Sequence, residues 1–373
     1  MDSTLPTHPR AISDLRILRR GPNEVQVGLD PRLAAVLTAL PEPVVAALQR
    51  LSGSRDVDDL VAELGEHGRS MRTALTALVT RGLLEDASRQ AVPVPGRLAG
   101  DRAAAAMRAA AERDHSPGAI PAAPVVRDDP AVRRGFAVAV RGDGRLAVSV
   151  ACLLAAAGVG WVHVDAAGTV RPEDTGTGYL PTDVGRRRGT AAREAIARVD
   201  AAVRTTPFRR DRGPDLLVLA DSLVHEPASV ATLNEAGVPH LGLRMRDGIG
   251  IVGPLVVPGH TSCLRCADLH RSDRDELWPQ VALQLTGQVQ LADLASTQAT
   301  AAFAVTQTLD ALRWLNGFAP PPATCEATVE LDLGTAAVRR RAWTSHPECP
   351  CGSTKRCSDV AANTNGELRQ SRT

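Results

Sequence analysis

Lysine is almost missing from this chain of 373 residues: Lys355 is the only one, although arginine is plentiful. A Walker-type phosphate lysine and a Schiff-base lysine both need an amine in the body of the chain, so both chemistries are excluded. Charge imbalance is missing too. A formal net charge of +1 gives no electrostatic footprint for nucleic acid as a partner. No apolar run follows the start, MDSTLPTHPRAISDLR, so no secretory signal is expected. The one stretch of membrane length, 146–164, is mostly alanine and is broken by Ser149, Gly158, Gly160 and His163. It reads as a helix and strand buried in a core, with no membrane partner. A cytoplasmic location is the expectation. Seven cysteines in such a chain point to metal or reduced thiols rather than disulfides.

What is present suffices for two or three domains with real cores, since 44% of the residues are hydrophobic. Residues 15–29, LRILRRGPNEVQVGL, alternate around the turn Gly21-Pro22-Asn23 and predict a hairpin. Three helices are expected at 43–51, at 57–64 after an N-capping Asp56, and at 71–81. The last carries Met71, Leu75, Leu78 and Val79 on one face and stops at Gly82. Leu83, Leu84 and Glu85 read as a closing strand. Residues 1–90 thus form a winged-helix-like α+β module, whose third helix, MRTALTALVTR, offers few side chains for reading bases.

Residues 91–131 are an Ala/Pro-rich linker by composition, with an Ala-rich helix around 101–112 and the stretch HSPGAIPAAP. Over 132–351 strands and helices alternate. FAVAV is followed by a helix at 146–157, WVHVD, a helix at 190–199, a strand near 201–205, DLLVLAD, a helix at 227–236 and PHLGLRM. Such alternation predicts a Rossmann-like α/β domain with a mostly parallel sheet. GIGIVGPLVVPG then precedes a pair of cysteines, a helical region covers 291–315, and ATVELDLGTAAVRRRAW supplies two late strands. Residues 352–373 read as a flexible tail.

Cys263-Leu-Arg-Cys266 supplies half of a tetrahedral metal site, and Cys349-Pro-Cys351 supplies the other half. A structural four-cysteine zinc site that clips the C-terminal segment onto the domain is the leading reading. His346 and Cys357 are alternative ligands. A thioredoxin-like redox pair is the rival reading of CLRC, and its place after Pro258-Gly259 argues against that. Cys152 reads as a core residue, and Cys325 is the one cysteine considered as an acceptor thiol.

Gly142, Gly144 and Ala147 fill the three positions of a G-x-G-x-x-A dinucleotide turn, with Asp165 ending the next strand where a ribose would be bound. The order GDGRLA, LAAAGVGWVHVDAAGTV, DLLVLAD, NEAGVPHLGLRM, GPLVVPGHTSCLRC and CPC resembles the ThiF/MoeB-like family of ubiquitin-activating-type adenylyltransferases. The resemblance covers about 133–351. It implies a Rossmann-like sheet that binds ATP and Mg2+, adenylates the C-terminus of a peptide or small carrier protein, works as a homodimer and holds zinc on two cysteine pairs.

Carried onto this chain, the resemblance implies that Gly142 and Gly144 lie along the phosphates, Asp165 at the ribose and Asp221 at Mg2+. The chain departs from the family in three places. Arg145 stands at a glycine position, where it either returns one positive charge to the nucleotide as a candidate cofactor-binding residue or closes the pocket; EDTGTGYLPTD lacks the family's arginine and glutamine; and the family's lysine has only Arg186, Arg187 or Arg188 as a substitute, of which Arg187 is the candidate. This pattern is similar to the ThiF-like partner proteins of azoline-forming pathways, the bacteriocin-biosynthesis cyclodehydratase proteins. In those a degenerate activating domain follows a leader-peptide-binding winged helix. The expected function is therefore capture of a precursor peptide for ATP-dependent cyclodehydration by a YcaO-type partner enzyme, the alternative being an active ATP-dependent adenylyltransferase. A hydride-transferring oxidoreductase explains neither the cysteine pairs nor the N-terminal module.

Overall fold

The chain divides into two units, Met1–Val132 and Arg133–Thr373. The computed structural model describes residues 5–12, 15–29, 34–89, 95–98, 100–102, 104–105, 130–209, 212–351 and 353. Most of the expected linker at 91–131, with HSPGAIPAAP and most of the helix at 101–112, lies outside the described residues. So do Lys355, Cys357 and nearly all of the expected tail.

In the first unit, β1 (Pro9–Ala11) precedes the hairpin of β2 (Ile17–Gly21) and β3 (Glu24–Val27), whose turn falls where Pro22-Asn23 puts it. β4 (Ala35–Leu37) completes an antiparallel sheet in the order β2-β3-β4. α1 (Glu42–Gln49), α2 (Val57–Glu63) and α3 (Gly68–Thr80) follow, and β5 (Leu84–Asp86) closes the unit by pairing antiparallel with β1. The Asp56 carboxylate accepts the Asp58 N–H at 2.7 Å and caps α2. Gly82, at φ 68°, stops α3 where a side chain would resist the left-handed turn. Met71, Leu75 and Leu78 bury one stripe of α3 against Val25, Val27, Val44, Val45 and Leu48. Each such side chain contributes roughly 1.5–3 kcal/mol.

The second unit carries β6 (Ala137–Arg141), α4 (Arg145–Ala156), β7 (Trp161–Asp165), α5 (Arg188–Val199), β8 (Leu216–Leu219), α6 (Pro227–Glu235) and β9 (His240–Arg246). β10 (Ile249–Val256), α7 (Leu264–Ser272), α8 (Trp278–Leu285), α9 (Leu294–Leu315), β11 (Ala327–Asp332) and β12 (Ala337–Ala342) complete it. Its sheet runs β12-β11-β10-β9-β8-β6-β7. β7, β6, β8 and β9 run parallel to one another, and β10, β11 and β12 extend the sheet antiparallel.

Because both faces are covered, the parallel strands are mainly apolar, with His163 in β7 and His240 and Arg244 in β9 among the exceptions. Val138 and Val140 pack toward α4 and α9, whereas Ala139 packs with Val230, Leu233 and Leu264 of α6 and α7. The strand expected at 201–205 is reduced to one parallel bridge, Arg204 to Trp161, with the Arg204 guanidinium 3.7 Å over the indole. Among the described residues no helix is long and apolar enough to cross a membrane.

Candidate functional site

β6 ends at Arg141 and α4 begins at Arg145, so Gly142-Asp143-Gly144 is the whole connection. Ala147 is buried against it, the small side chain a close strand-to-helix turn requires. β8 lies beside β6, and Asp221, just beyond the end of β8, therefore arrives at the same loop. Asp221 has a left-handed backbone, φ 72°, which costs a non-glycine residue about 1 kcal/mol or more. Its carboxylate accepts the Gly144 N–H at 2.9 Å, and the nearby amides of Ala147 and Leu146 act on it to lower its pKa. A Cβ on Gly144 would meet Asp221 Oδ1 at 2.5 Å, and one on Gly142 would meet Oδ2 at 2.6 Å. Both glycines make room for this internal carboxylate. Asp221 is only 5% exposed, and burial lifts its pKa from the ordinary 3.8 to about 6 against the pull of those amides.

The remaining polar groups are sorted by their partners. Arg145 donates from Nη2 to the Glu173 carbonyl. The exposed Asp165 carboxylate, at the end of β7, accepts from Arg141 Nε at 3.0 Å. Arg186 is bound by Asp183 and Glu194, each at 2.6 Å. Arg188 is buried, with Nη2 and Nε on Asp174 Oδ2 at 2.8 and 3.2 Å and Nη1 on the Ala167 carbonyl at 3.0 Å. Arg187 is exposed at the start of α5 and makes no ion pair among the described residues. It lines a cavity of about 560 Å³ with His163, Val164, Thr169, Thr190 and Arg193, beside Asp165. That volume lies within the range of small-molecule sites, roughly 300–1,000 Å³.

Asp174 was missed as a site residue. The acid is visible in EDTGTG, but its pairing with Arg188 follows from the loop's path over α5.

The four predicted cysteines come together. Cys263 caps α7 and Cys266 lies in its first turn, while Cys349 and Cys351 return from beyond β12. Sγ atoms are 3.7 Å apart for Cys263–Cys266 and 3.5 Å for Cys263–Cys349 and Cys266–Cys351. Metal–sulfur bonds of about 2.3 Å at tetrahedral angles give edges of about 3.8 Å, so the four thiols fit one metal ion and are too far apart for disulfides. The hydrogen bond between Cys263 and Cys266 pulls the Cys266 thiol below its ordinary pKa and pushes that of Cys263 up, as expected of sulfurs this close.

The pair does open a helix, contrary to its sequence reading. The strand before it is antiparallel, however, and each sulfur also faces a cysteine of the second pair, which is not a thioredoxin arrangement. His346 does not join the four cysteines: its Nδ1 accepts the Glu348 N–H at 3.1 Å and its Nε2 lies 3.0 Å from Asp273 Oδ2, in a separate group with His270. Cys152 is buried in α4 with its thiol raised to about 11 by burial, which keeps it inert. Cys325 is disulfide-bonded, a departure from the all-reduced expectation, and so is no acceptor thiol.

No protein-family model matches the chain. It is 28% identical over 247 residues to protein HesA of Leptolyngbya boryana, covering 61% of this chain and 81% of HesA. Among solved structures it resembles E. coli MccB bound to AMPCPP and MccA, with a TM-score of 0.68, 14% identity, and coverage of 92% of this chain and 99% of that one. It also resembles PaaA, with a TM-score of 0.63, 16% identity, and coverage of 88% and 99%. At these identities the likeness is one of fold, and the fold is the ThiF type that the glycine turn and cysteine pairs imply.

Proposed function

We propose that this protein is a ThiF-type peptide-recruiting protein whose nucleotide turn is closed by its own carboxylate. It captures a precursor or leader peptide through the module at 1–90 and supports ATP-dependent cyclodehydration of that peptide by a separate YcaO-type enzyme, in bacteriocin biosynthesis. One observation carries the reading: Asp221 takes the Gly144 amide at the start of α4 and sets its carboxylate where a nucleotide phosphate would need those amides. A phosphate charge about 4 Å from that carboxylate is opposed by about 4 kcal/mol at an effective dielectric of about 20. The cation budget points the same way, because Arg188 is already neutralised by Asp174. The residues present therefore do not fit the phosphates of ATP, and a buried Asp221 does not present a ligand to Mg2+.

The peptide half of the reading draws on MccB, a microcin C7 biosynthetic enzyme solved with MccA, whose fold this chain matches over 93% of its length. The cysteine quartet holds a structural Zn2+ that ties the C-terminal segment to the sheet. A cytoplasmic homodimer completes the proposal.

A second reading, an active adenylyltransferase, is favoured by the cavity beside Asp165 with Arg187 on its wall, and by the MccB structure with ATP. Calorimetry of the full chain with ATP and Mg2+ separates the two. The scaffold shows no ATP binding and no ATP–pyrophosphate exchange with peptide, and deletion of 1–90 abolishes peptide binding. Exchange that appears with peptide and vanishes in Asp221→Ala establishes the enzyme instead.

A further inference from the structure

Arg244 lies on the face of β9 that α7 covers, opposite Leu243 and Met245. It is 7% exposed, yet it makes no hydrogen bond or ion pair among the described residues; only longer-range charges act on it. A buried guanidinium is ordinarily paired and hydrogen-bonded, so an orphan of this kind needs an explanation. Burial lowers its pKa to about 10, which still leaves it cationic at neutral pH.

The guanidinium lines a recess whose other walls are Leu223, Val224, Pro254, Leu264 and Arg271. Its volume, about 20 Å³, is room for one oxygen-sized atom. His225 lines the same recess, and its Nε2 is shielded from solvent without a hydrogen-bond partner. Burial and then the charge of Arg244 push that imidazole to about 3, so the ring is neutral and free to offer Nε2–H. Asp268, the acid on the wall, is already held by Arg271 at 2.6 Å. Four guanidiniums gather here (Arg244, Arg246, Arg271 and Arg341) against two carboxylates, Asp268 and Glu330, a local excess of two positive charges.

We propose that this recess is an anion site that takes one carboxylate oxygen of a ligand entering from its mouth, held by Arg244 and His225 Nε2. The volume admits one oxygen of the ligand and leaves the rest of it at the mouth. The apolar walls of Leu223, Val224, Pro254 and Leu264 suit the carbon behind a carboxylate and not the charged oxygens that surround phosphorus, and the guanidinium makes a charge-assisted bond to the inserted oxygen. The site is independent of ATP and of the N-terminal module, so it stands or falls separately from the peptide-recruitment reading.

The test is thermal unfolding of the full chain at constant ionic strength, with sodium acetate replacing sodium chloride. Acetate raises the wild-type midpoint above that in chloride. Arg244→Met, which removes an unpaired buried charge, unfolds in chloride at or above the wild-type midpoint and does not respond to acetate. If Arg244→Met fails to fold or unfolds far below the wild type, the guanidinium is structurally partnered and the proposal is overturned. His225→Phe is a second check, since it keeps the charge and weakens acetate about tenfold by losing one charge-assisted hydrogen bond. N-acetylglycine, N-acetylglutamate α-amide and acetate mimic a peptide C-terminus, an acidic side chain and a free acid, and the tightest of the three names the source. Equal midpoints of the wild type in acetate and chloride, or an unchanged acetate response in both variants, refute the site.

Discussion

Replacing Asp221 with asparagine keeps a side chain that can accept the Gly144 N–H but removes the buried charge. The carboxyl titrates near 3.8 in the unfolded chain and near 6 in the fold. A difference of about 2 in pKa corresponds to about 3 kcal/mol. Because the folded value is the higher one, the fold binds the proton more tightly. The contribution is therefore fully present below pH 3.8, is lost as pH rises through about 6, and is absent at pH 8. For a domain the size of the second unit, about 3 kcal/mol moves the unfolding midpoint by roughly 6–12 °C.

The assay is unfolding of wild type and Asp221→Asn at closely spaced values from pH 4 to pH 8. The wild type should lose this increment between pH 4 and pH 7 while the variant does not, so the variant gains relative stability at neutral pH. Parallel profiles for the two proteins would refute the placement of an ionisable carboxylate under α4. An independent sign that the carboxylate is where it is described would be the reverse order of stabilities at the two ends of the range.

Three further outcomes are expected. Cys263→Ala lowers the zinc content of the purified protein, the metal proposed for the quartet, and lowers the unfolding midpoint of the second unit; full zinc content and an unchanged midpoint contradict a four-cysteine site. Asp174→Ala leaves Arg188 buried and unpaired and lowers stability by about 3–5 kcal/mol in denaturant unfolding, whereas Asp174→Leu with Arg188→Met recovers most of it. Gly144→Ala drives a Cβ to 2.5 Å from Asp221 Oδ1 and costs about 1–3 kcal/mol by breaking the amide–carboxylate contact. That cost shrinks in an Asp221→Gly background, as a double-mutant cycle would read out.

Local chemistry made much of the molecule legible. Pro22-Asn23 sets a hairpin turn, Asp56 caps α2, Gly82 ends α3, and GDG can only turn β6 into α4. Each of these is decided within a few residues of chain. The cysteine pairs were also readable, since a metal demands four donors and the spacing offered two and two. The segment at 201–205 shows the limit: its pattern suits a strand, but it meets only the edge of β7 and pairs through one bridge.

Arg186, Arg187 and Arg188 are indistinguishable in sequence. Helix phase and the acids at positions 174, 183 and 194 neutralise two of them and leave Arg187 on the cavity wall. In β9, HLGLRMR reads as plain alternation, and nothing local says that α7 will bury the face carrying Arg244. The sequence by itself determined which turns, caps and metal donors exist, because those depend on neighbours along the chain. Only the tertiary structure decided what each charge meets. Asp221 closes the glycine turn because β8 happens to lie beside β6, a contact between residues 77 positions apart.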